Sequence, residues 1–141
     1  MAVEEVKLRA GRIFESILYV DDLAAGEEFY NGVLGLELIY SSDILLAFRC
    51  DSGVLLVFNR KLSVREGRTV PSHGTTGEGH IAFAAGVDEL DAWRAHLAAK
   101  GVEIEREVDW EVGGVSLYFR DPDGNSIELA PPTLWGGGWN F

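Results

Sequence analysis

The chain has 141 residues, 47% of them hydrophobic, and a formal net charge of −11 at pH 7. This length suits one packed domain, or two small modules that share a sheet system. The acidic balance argues against DNA or RNA as partners, because phosphate binding rests on clustered Lys and Arg. No apolar run is long enough to cross a bilayer, and the start, MAVEEVKLRAGR, lacks a signal pattern. We therefore expect a cytoplasmic protein without a membrane partner.

The first half of the chain predicts a strand, a helix and three further strands. Residues 14–20 alternate like a strand, and Asp22 is placed to cap a helix in DLAAGEEFYNGVLG that Gly35 ends. Three short runs follow, LELIYSS, ILLAFRC and GVLLVFN, with Asp51-Ser52-Gly53 as a hairpin signal between the last two. The stretch after them is mostly polar and is interpreted as a linker.

The second half repeats this order. GHIAFAA predicts a strand, Asp88 is expected to cap the helix DELDAWRAHLAAKG, and VEIEREV, GVSLYFR and NSIELA predict three more strands. FRCDSGVLLV can be laid on FRDPDGNSIE, and FESILYVDDL on GHIAFAAGVDEL. Because both similarities occur in the same order, we interpret the chain as a duplicated βαβββ unit. The predicted segments are an N-terminal extension (1–12), a first module (13–59), a linker loop (60–78), a second module (79–131) and a Trp/Gly-rich tail (132–141).

The duplication identifies equivalent positions. Glu15 in the first strand corresponds to His80, and Glu128 corresponds to Val57, or to Leu55 if the hairpins differ in length. In a pseudo-twofold arrangement, the first and last strands of each module would line one curved interior. Three of the four equivalent positions then carry side chains that bind metals.

Small residues accompany the polar residues of the second module. His80 shares its predicted strand face with Ala82 and Ala84, and Glu128 shares its face with Ser126 and Ala130. A packed core would not accept a lone carboxylate without a partner. The pattern therefore favours a cavity with room for a ligand.

These segments resemble the vicinal oxygen chelate superfamily, the glyoxalase, bleomycin resistance protein and dioxygenase type. The resemblance rests on LYVDDL, EEFYNGVLGLEL, GHIAFA and FRDPDGNSIELA, and it spans residues 13–130. It implies an α+β fold of two tandem βαβββ modules, whose curved mixed sheets surround a cavity. It also implies that chains of this length pair as homodimers, in some members with a site shared between the two chains.

The resemblance places metal ligands at Glu15, His80 and Glu128, with Leu55 at the fourth position. Such a set implies a divalent cation (Mn, Mg, Fe, Zn or Ni) and an enzyme of lyase, isomerase or dioxygenase type acting on a small molecule with vicinal oxygens. Without a metal, two neighbouring carboxylates would repel each other, and one would become a proton carrier. The alternative function is sequestration of a small molecule without catalysis, as in bleomycin-resistance proteins.

Two further features concern the walls of the expected cavity. His73, in PSHGTTGEGH, is either a catalytic residue alongside Glu128 or an exposed loop histidine. Trp110, Tyr118, Phe58 and the tail from Leu134 to Trp139 are candidate aromatic walls. The two tail tryptophans, which flank three glycines, indicate a flap over the cavity or a contact with a second subunit.

Overall fold

The computed structural model describes residues 8–141, so most of the predicted N-terminal extension (1–12) lies outside the described residues. Within that range, no helix combines the length and apolar character needed to span a membrane. The elements follow the order β-α-β-β-β twice, with one short helix, α2 (Arg60–Ser63), at the start of the predicted linker between the two sets. They are β1 (Glu15–Val20), α1 (Leu23–Glu27), β2 (Glu37–Ser41), β3 (Leu45–Cys50), β4 (Gly53–Asn59), α2 (Arg60–Ser63), β5 (His80–Ala84), α3 (Leu90–Ala99), β6 (Arg106–Asp109), β7 (Val115–Arg120) and β8 (Ser126–Ala130).

The strands form two four-stranded sheets with the same topology, β1-β4-β3-β2 (sheet A) and β5-β8-β7-β6 (sheet B). In each sheet the first and last strands of the module pair in parallel, and the other neighbours pair antiparallel. Parallel neighbours cannot be joined by a tight hairpin, so the helix and two strands intervene. The predicted α+β fold of two tandem βαβββ modules is confirmed.

The first helix begins where the sequence predicts and ends with an irregular turn. The Asp22 carboxylate accepts a hydrogen bond from the backbone N–H of Ala25 at 3.1 Å, as an N-cap. The helix continues as a π-helical segment, Glu28–Val33, in which the N–H of Leu34 reaches the carbonyl of Phe29. Gly35 ends it with φ of +71°, a conformation that glycine adopts without strain.

Two local expectations for the second module are wrong. A 3₁₀ turn, Val87–Glu89, precedes α3, and the Glu89 carboxylate, not Asp88, accepts the N–H of Gly86 at 2.9 Å. In the segment VEIEREV only the end is strand, because β6 begins at Arg106. The reason is that Val102 still closes the end of α3 through its N–H to the carbonyl of Leu97.

One face of each sheet packs with the helices into a common core. Alternate residues of the strands point to this core and are almost fully buried. They include Leu18, Val20, Leu55 and Val57 from sheet A and Leu117, Phe119, Ile127 and Leu129 from sheet B. The opposite face of each sheet is left for solvent, a ligand or another chain.

The strand register corrects the expected counterpart of Glu128. Glu128 lies opposite Ala82 in the β5/β8 pair, and Leu56 lies opposite Ile17 in the equivalent β1/β4 pair. The expected counterparts Val57 and Leu55 instead point into the core. A shift of one residue along a strand reverses the face of the side chain, which is why an uncertain hairpin length gave the wrong position.

The DPDGN turn between β7 and β8 joins the two modules. Asp121 is buried and accepts a hydrogen bond from the hydroxyl of Tyr30 at 2.8 Å. The side-chain oxygen of Asn125 accepts the N–H of Gly79 at 2.7 Å, and its NH₂ donates to the carbonyl of Tyr19 at 3.2 Å. Because Gly79 immediately precedes β5 and Tyr19 lies in β1, this turn fixes the start of sheet B against sheet A.

Candidate metal and ligand site

His80 and Glu128 meet on the open face of sheet B. The two residues are 48 positions apart in the chain, but β5 and β8 are neighbouring parallel strands. Nε2 of His80 lies 3.2 Å from Oε1 of Glu128. The Glu128 side chain is only 7% exposed, whereas that of His80 is 49% exposed. The structure thus brings together two of the three predicted metal ligands.

The second oxygen of Glu128 accepts a hydrogen bond from Ser116, which in turn accepts one from Trp110. The hydroxyl of Ser116 lies 2.6 Å from Oε2 of Glu128, and the indole N–H of Trp110 lies 2.8 Å from the oxygen of Ser116. An indole N–H can only donate, so Ser116 accepts from Trp110 and directs its own proton to Glu128. This arrangement fixes the carboxylate and leaves Oε1 as the oxygen that faces His80.

The ring of His80 is oriented by the backbone. Nδ1 lies 3.0 Å from the carbonyl oxygen of Ser126. A carbonyl oxygen only accepts, so Nδ1 carries a proton, and Nε2 of the neutral ring carries a lone pair. This lone pair faces Oε1 of Glu128, which is also an acceptor when ionised. Such a pair needs a cation or a proton between the two atoms.

Tyr118 covers the same pair from β7. Its ring lies nearly parallel to the ring of His80, with 6.3 Å between the centroids. Burial raises the pKa of Tyr118, and the neighbouring negative charge of Glu128 raises it further. Because the neutral phenol is favoured, Tyr118 stays a hydrogen-bond donor beside the carboxylate over a wider pH range.

A cavity of about 690 Å³ opens beside His80 and Glu128. As expected from the sequence, small side chains of β5 and β8 leave the space, and Trp110, Tyr118 and the tail form walls. All of its lining residues lie between positions 80 and 141. They are His80, Ala82, Phe83, Ala84, Trp110, Tyr118, Glu128, Ala130, Pro131, Pro132, Leu134, Trp135, Trp139 and Phe141.

Glu15 and His73 lie elsewhere in the chain. Glu15 begins β1 in sheet A and is exposed. Among residues 8–141, no group of three or more His, Cys, Asp or Glu side chains is placed to hold a metal ion. His73 accepts or donates a 2.6 Å hydrogen bond with the hydroxyl of Tyr19 and packs edge-on against Phe58. Phe58, expected as a wall beside Trp110, therefore lies against the linker loop instead.

The sequence interpretation missed Ser116, which holds Glu128, and Tyr19, which holds His73. A signal for Ser116 was present, because alternation along VSLYFR places Ser116 and Tyr118 on the face opposite Leu117 and Phe119. Tyr19 shares the face of β1 with Glu15 by the same rule. Neither contact was predictable in detail, since each depends on how a neighbouring strand or loop is placed.

Comparisons with known proteins agree with this architecture. Residues 11–129 match the model of the Glyoxalase/Bleomycin resistance protein/Dioxygenase superfamily. Lactoylglutathione lyase of Haemophilus influenzae is 33% identical over 125 residues, which cover 84% of this chain and 90% of the relative. The crystal structure of lactoylglutathione lyase from Agrobacterium tumefaciens is 38% identical and superposes with a TM-score of 0.87, covering 92% of this chain and all of that one.

A metal-containing structure is also similar. The fosfomycin resistance protein FosX from Listeria monocytogenes, solved with Mn(II) and sulfate, is 27% identical with a TM-score of 0.67, covering 90% of this chain and 94% of that one. The duplicated βαβββ fold, the His80–Glu128 pair in the second module and the match over residues 11–129 lead to one conclusion. The chain belongs to the Glyoxalase/Bleomycin resistance protein/Dioxygenase superfamily.

Proposed function

We propose that this protein is a divalent-metal-dependent enzyme of lyase, isomerase or dioxygenase type that acts on a small molecule with vicinal oxygens. The observation that carries the proposal is the approach of two potential metal-ligand atoms, Nε2 of His80 and Oε1 of Glu128, to 3.2 Å at the wall of a cavity. Membership of a superfamily whose relatives are named lactoylglutathione lyase, and FosX crystallised with Mn(II), supports it.

The donor set fits a divalent cation. Imidazole and carboxylate are ligands for Mn²⁺, Fe²⁺, Zn²⁺ and Ni²⁺, and the oxygen also suits Mg²⁺. Ser126 orients the imidazole, and Ser116 orients the carboxylate, as outer partners of metal ligands commonly do. A bound divalent ion would act as a Lewis acid that stabilises negative charge developing on substrate oxygens.

Glu15 is proposed as a third ligand that comes from a second copy of the chain. Within one chain it lies on sheet A, away from the cavity lined by residues 80–141. Its neighbours Ile13, Phe14 and Ile17 expose large apolar side chains, as expected of a surface covered by another subunit. A twofold homodimer would place sheet A of each copy against the cavity of the other.

Glu128 and His73 are proposed to move protons. Ser116 holds Oε2 of Glu128, so a substrate proton would be accepted by Oε1, the same oxygen that would contact the metal, and proton transfer would require Oε1 to exchange the metal for the substrate. His73 is paired with Tyr19 on the face of sheet A that carries Glu15. In the proposed dimer this pair would therefore approach the cavity of the second copy. The cytoplasmic location stays a prediction.

The alternative is a protein that binds a small molecule without catalysis. Its support is the aromatic lining of the cavity and the presence of only two adjacent candidate ligands among the described residues of one chain. In that case a proton between His80 and Glu128 would replace the metal.

Calorimetric titration of Mn²⁺ into chelator-treated protein tests the proposal. His80→Ala and Glu128→Gln should each weaken Mn²⁺ binding by at least about tenfold, since loss even of an outer partner costs that much. Glu66→Gln, in the exposed part of the linker loop, should bind normally. Absence of binding by the unaltered protein, with Mn²⁺, Ni²⁺ and Zn²⁺ alike, would favour the non-catalytic alternative.

A further inference from the structure

The C-terminal tail presents aromatic rings to the cavity. Its backbone is folded into successive turns, with the N–H of Leu134 bonded to the carbonyl of Pro131 and that of Gly136 to Thr133. The indole N–H of Trp139 donates to the carbonyl of Trp135 at 3.1 Å. These contacts hold the tail in one arrangement, in which Trp135 and Trp139 line the space beside His80 and Glu128.

The aromatic side chains of the tail are not buried in the protein's own core. Trp135 is 83% exposed, Phe141 81% and Trp139 56%, although all three line the cavity. Burying apolar surface is favourable roughly in proportion to the area buried, and each aromatic side chain can bury about 150–250 Å². A ligand that covers these rings would therefore gain a large apolar contact that the folded chain leaves unmade.

Trp110 adds a ring whose orientation is fixed. Its indole N–H is committed to Ser116, which in turn holds Glu128. A wall fixed in this way loses little side-chain freedom when a ligand stacks on it. The same residue connects the aromatic wall to the carboxylate.

In the metal-free single chain, the charges of the cavity argue against an anionic ligand. Among residues 8–141, none of the side chains that line it is Lys or Arg, and its carboxylate, Glu128, adds to an overall charge of −11. An adjoining cavity contains Arg49, but this guanidinium is paired with Glu37 at 3.1 Å. A carboxylate or phosphate on the ligand would thus meet no free cationic side chain here.

We propose that the cavity binds an uncharged ligand with a flat ring system, which lies against Trp110 and the tail rings Trp135 and Trp139. The volume of about 690 Å³ lies within the range of small-molecule sites, roughly 300–1,000 Å³. Placement of the ligand's oxygens at His80 and Glu128 rests on the proposed function. The ring subsite itself needs no metal.

Three matched probes, titrated by calorimetry into metal-free protein near pH 7, test the assignment. The probes are 2-naphthol, which is flat and neutral; naphthalene-2-sulfonate, which is flat and anionic; and decahydro-2-naphthol, which is neutral and not flat. We expect 2-naphthol to bind most tightly. Trp135→Ala and Trp139→Ala should each weaken it about two- to tenfold, the range expected for one aromatic pair.

Two variants separate stacking from other effects. Trp135→Leu keeps apolar area without a flat ring and should lose nearly as much affinity as Trp135→Ala. Tyr40→Ala removes an exposed aromatic residue of β2 outside the cavity and should change nothing.

The proposal is overturned if the sulfonate binds as well as 2-naphthol, if the saturated alcohol does, or if the tail variants bind like the unaltered protein. It is also overturned if no probe binds. If Trp135→Ala then dissociates the protein into monomers, the tail is assigned to contact between copies. If 2-naphthol binds as expected and Mn²⁺ never does, only the proposed metalloenzyme function fails.

Discussion

The hydroxyl of Ser116 lies 2.6 Å from Oε2 of Glu128, and both residues are almost fully buried. This contact decides which oxygen of the carboxylate points to His80. Without it, the buried carboxylate of Glu128 would keep only its contact with His80. Replacement of Ser116 by Ala should therefore lower the unfolding free energy by about 1.5–3 kcal/mol, the usual worth of a hydrogen bond to a charged group.

The same substitution should weaken Mn²⁺ binding about 10- to 100-fold, as loss of outer partners of metal ligands does. Urea unfolding and calorimetry of one protein preparation measure the two effects. Ser41→Ala, on the exposed strand β2, is the matched control and should alter neither value. Unchanged Mn²⁺ affinity in Ser116→Ala would mean that Ser116 serves stability alone.

The Tyr30–Asp121 pair predicts a pH dependence of stability. Burial and the neighbouring Asp121 raise the pKa of Tyr30 above its ordinary value of 10. The folded protein therefore keeps a proton that the unfolded chain releases near pH 10. Its contribution to stability is complete below that pH and is lost as the pH rises further, by at most about 1.4 kcal/mol per pH unit for one group.

Tyr30→Phe should make the fall in unfolding free energy between pH 9 and 11 less steep, while costing about 1.5–3 kcal/mol at pH 7 through the lost hydrogen bond to the buried carboxylate of Asp121. Tyr40→Phe, at an exposed site, is the control. Chemical denaturation at each pH provides the slopes. Equal slopes for the two variants would show that Tyr30 does not govern the alkaline limb.

Two adjacent glycines between β6 and β7 offer a matched test of how the tail is anchored. Gly113 and Gly114 both have positive φ, but a Cβ on Gly114 would lie 2.5 Å from Pro131, whereas one on Gly113 would meet no atom within 4 Å. Gly113→Ala should cost about 1–2 kcal/mol of backbone strain.

Gly114→Ala should cost about 1–3 kcal/mol more than Gly113→Ala, because it also displaces Pro131, the residue that immediately precedes the tail. Urea unfolding measures the difference, and tryptophan emission reports whether Trp135 and Trp139 have moved. Similar losses of unfolding free energy in the two variants would indicate that Pro131 and the tail shift at no measurable cost.

A mixture of two defective chains tests whether Glu15 acts across an interface. Glu15→Gln and His80→Ala homodimers should each bind Mn²⁺ weakly. After unfolding and refolding together, a mixed dimer should regain one intact site, because Glu15 and His80 of that site come from the unaltered parts of different chains. Calorimetry of the refolded mixture measures the number of recovered Mn²⁺ sites. If the mixture binds Mn²⁺ as weakly as the two variants refolded separately, a shared site is contradicted.

The fold was predictable to the level of modules because its sequence signals are local. Alternation marks the strands, Asp22 and Gly35 bound the first helix, and the repeated order implies the paired sheets. The residue opposite Ile17 was not predictable, because the length of the hairpin before β4 sets the register and the sequence leaves that length uncertain. The sequence therefore predicts Leu55 or Val57 at a position that Leu56 occupies.

The site was predictable only in part for a similar reason. His80 and Glu128 were placed together by the parallel pairing that the repeat implies. Ser116, Trp110 and the position of His73 depend on contacts between side chains distant in sequence, and no local pattern encodes such contacts. The proposed role of Glu15 as a metal ligand depends on the presence of a second chain, which the sequence of one chain does not encode.

A crystal structure of the protein grown with Mn²⁺, with anomalous scattering measured at the manganese edge, tests the central claim most directly. The account predicts one peak per chain within about 2.0–2.3 Å of Nε2 of His80 and Oε1 of Glu128, with Glu15 of a second copy beside it. A peak bound to other residues would contradict it. A distance between Nε2 of His80 and Oε1 of Glu128 too short to admit a metal would also contradict it.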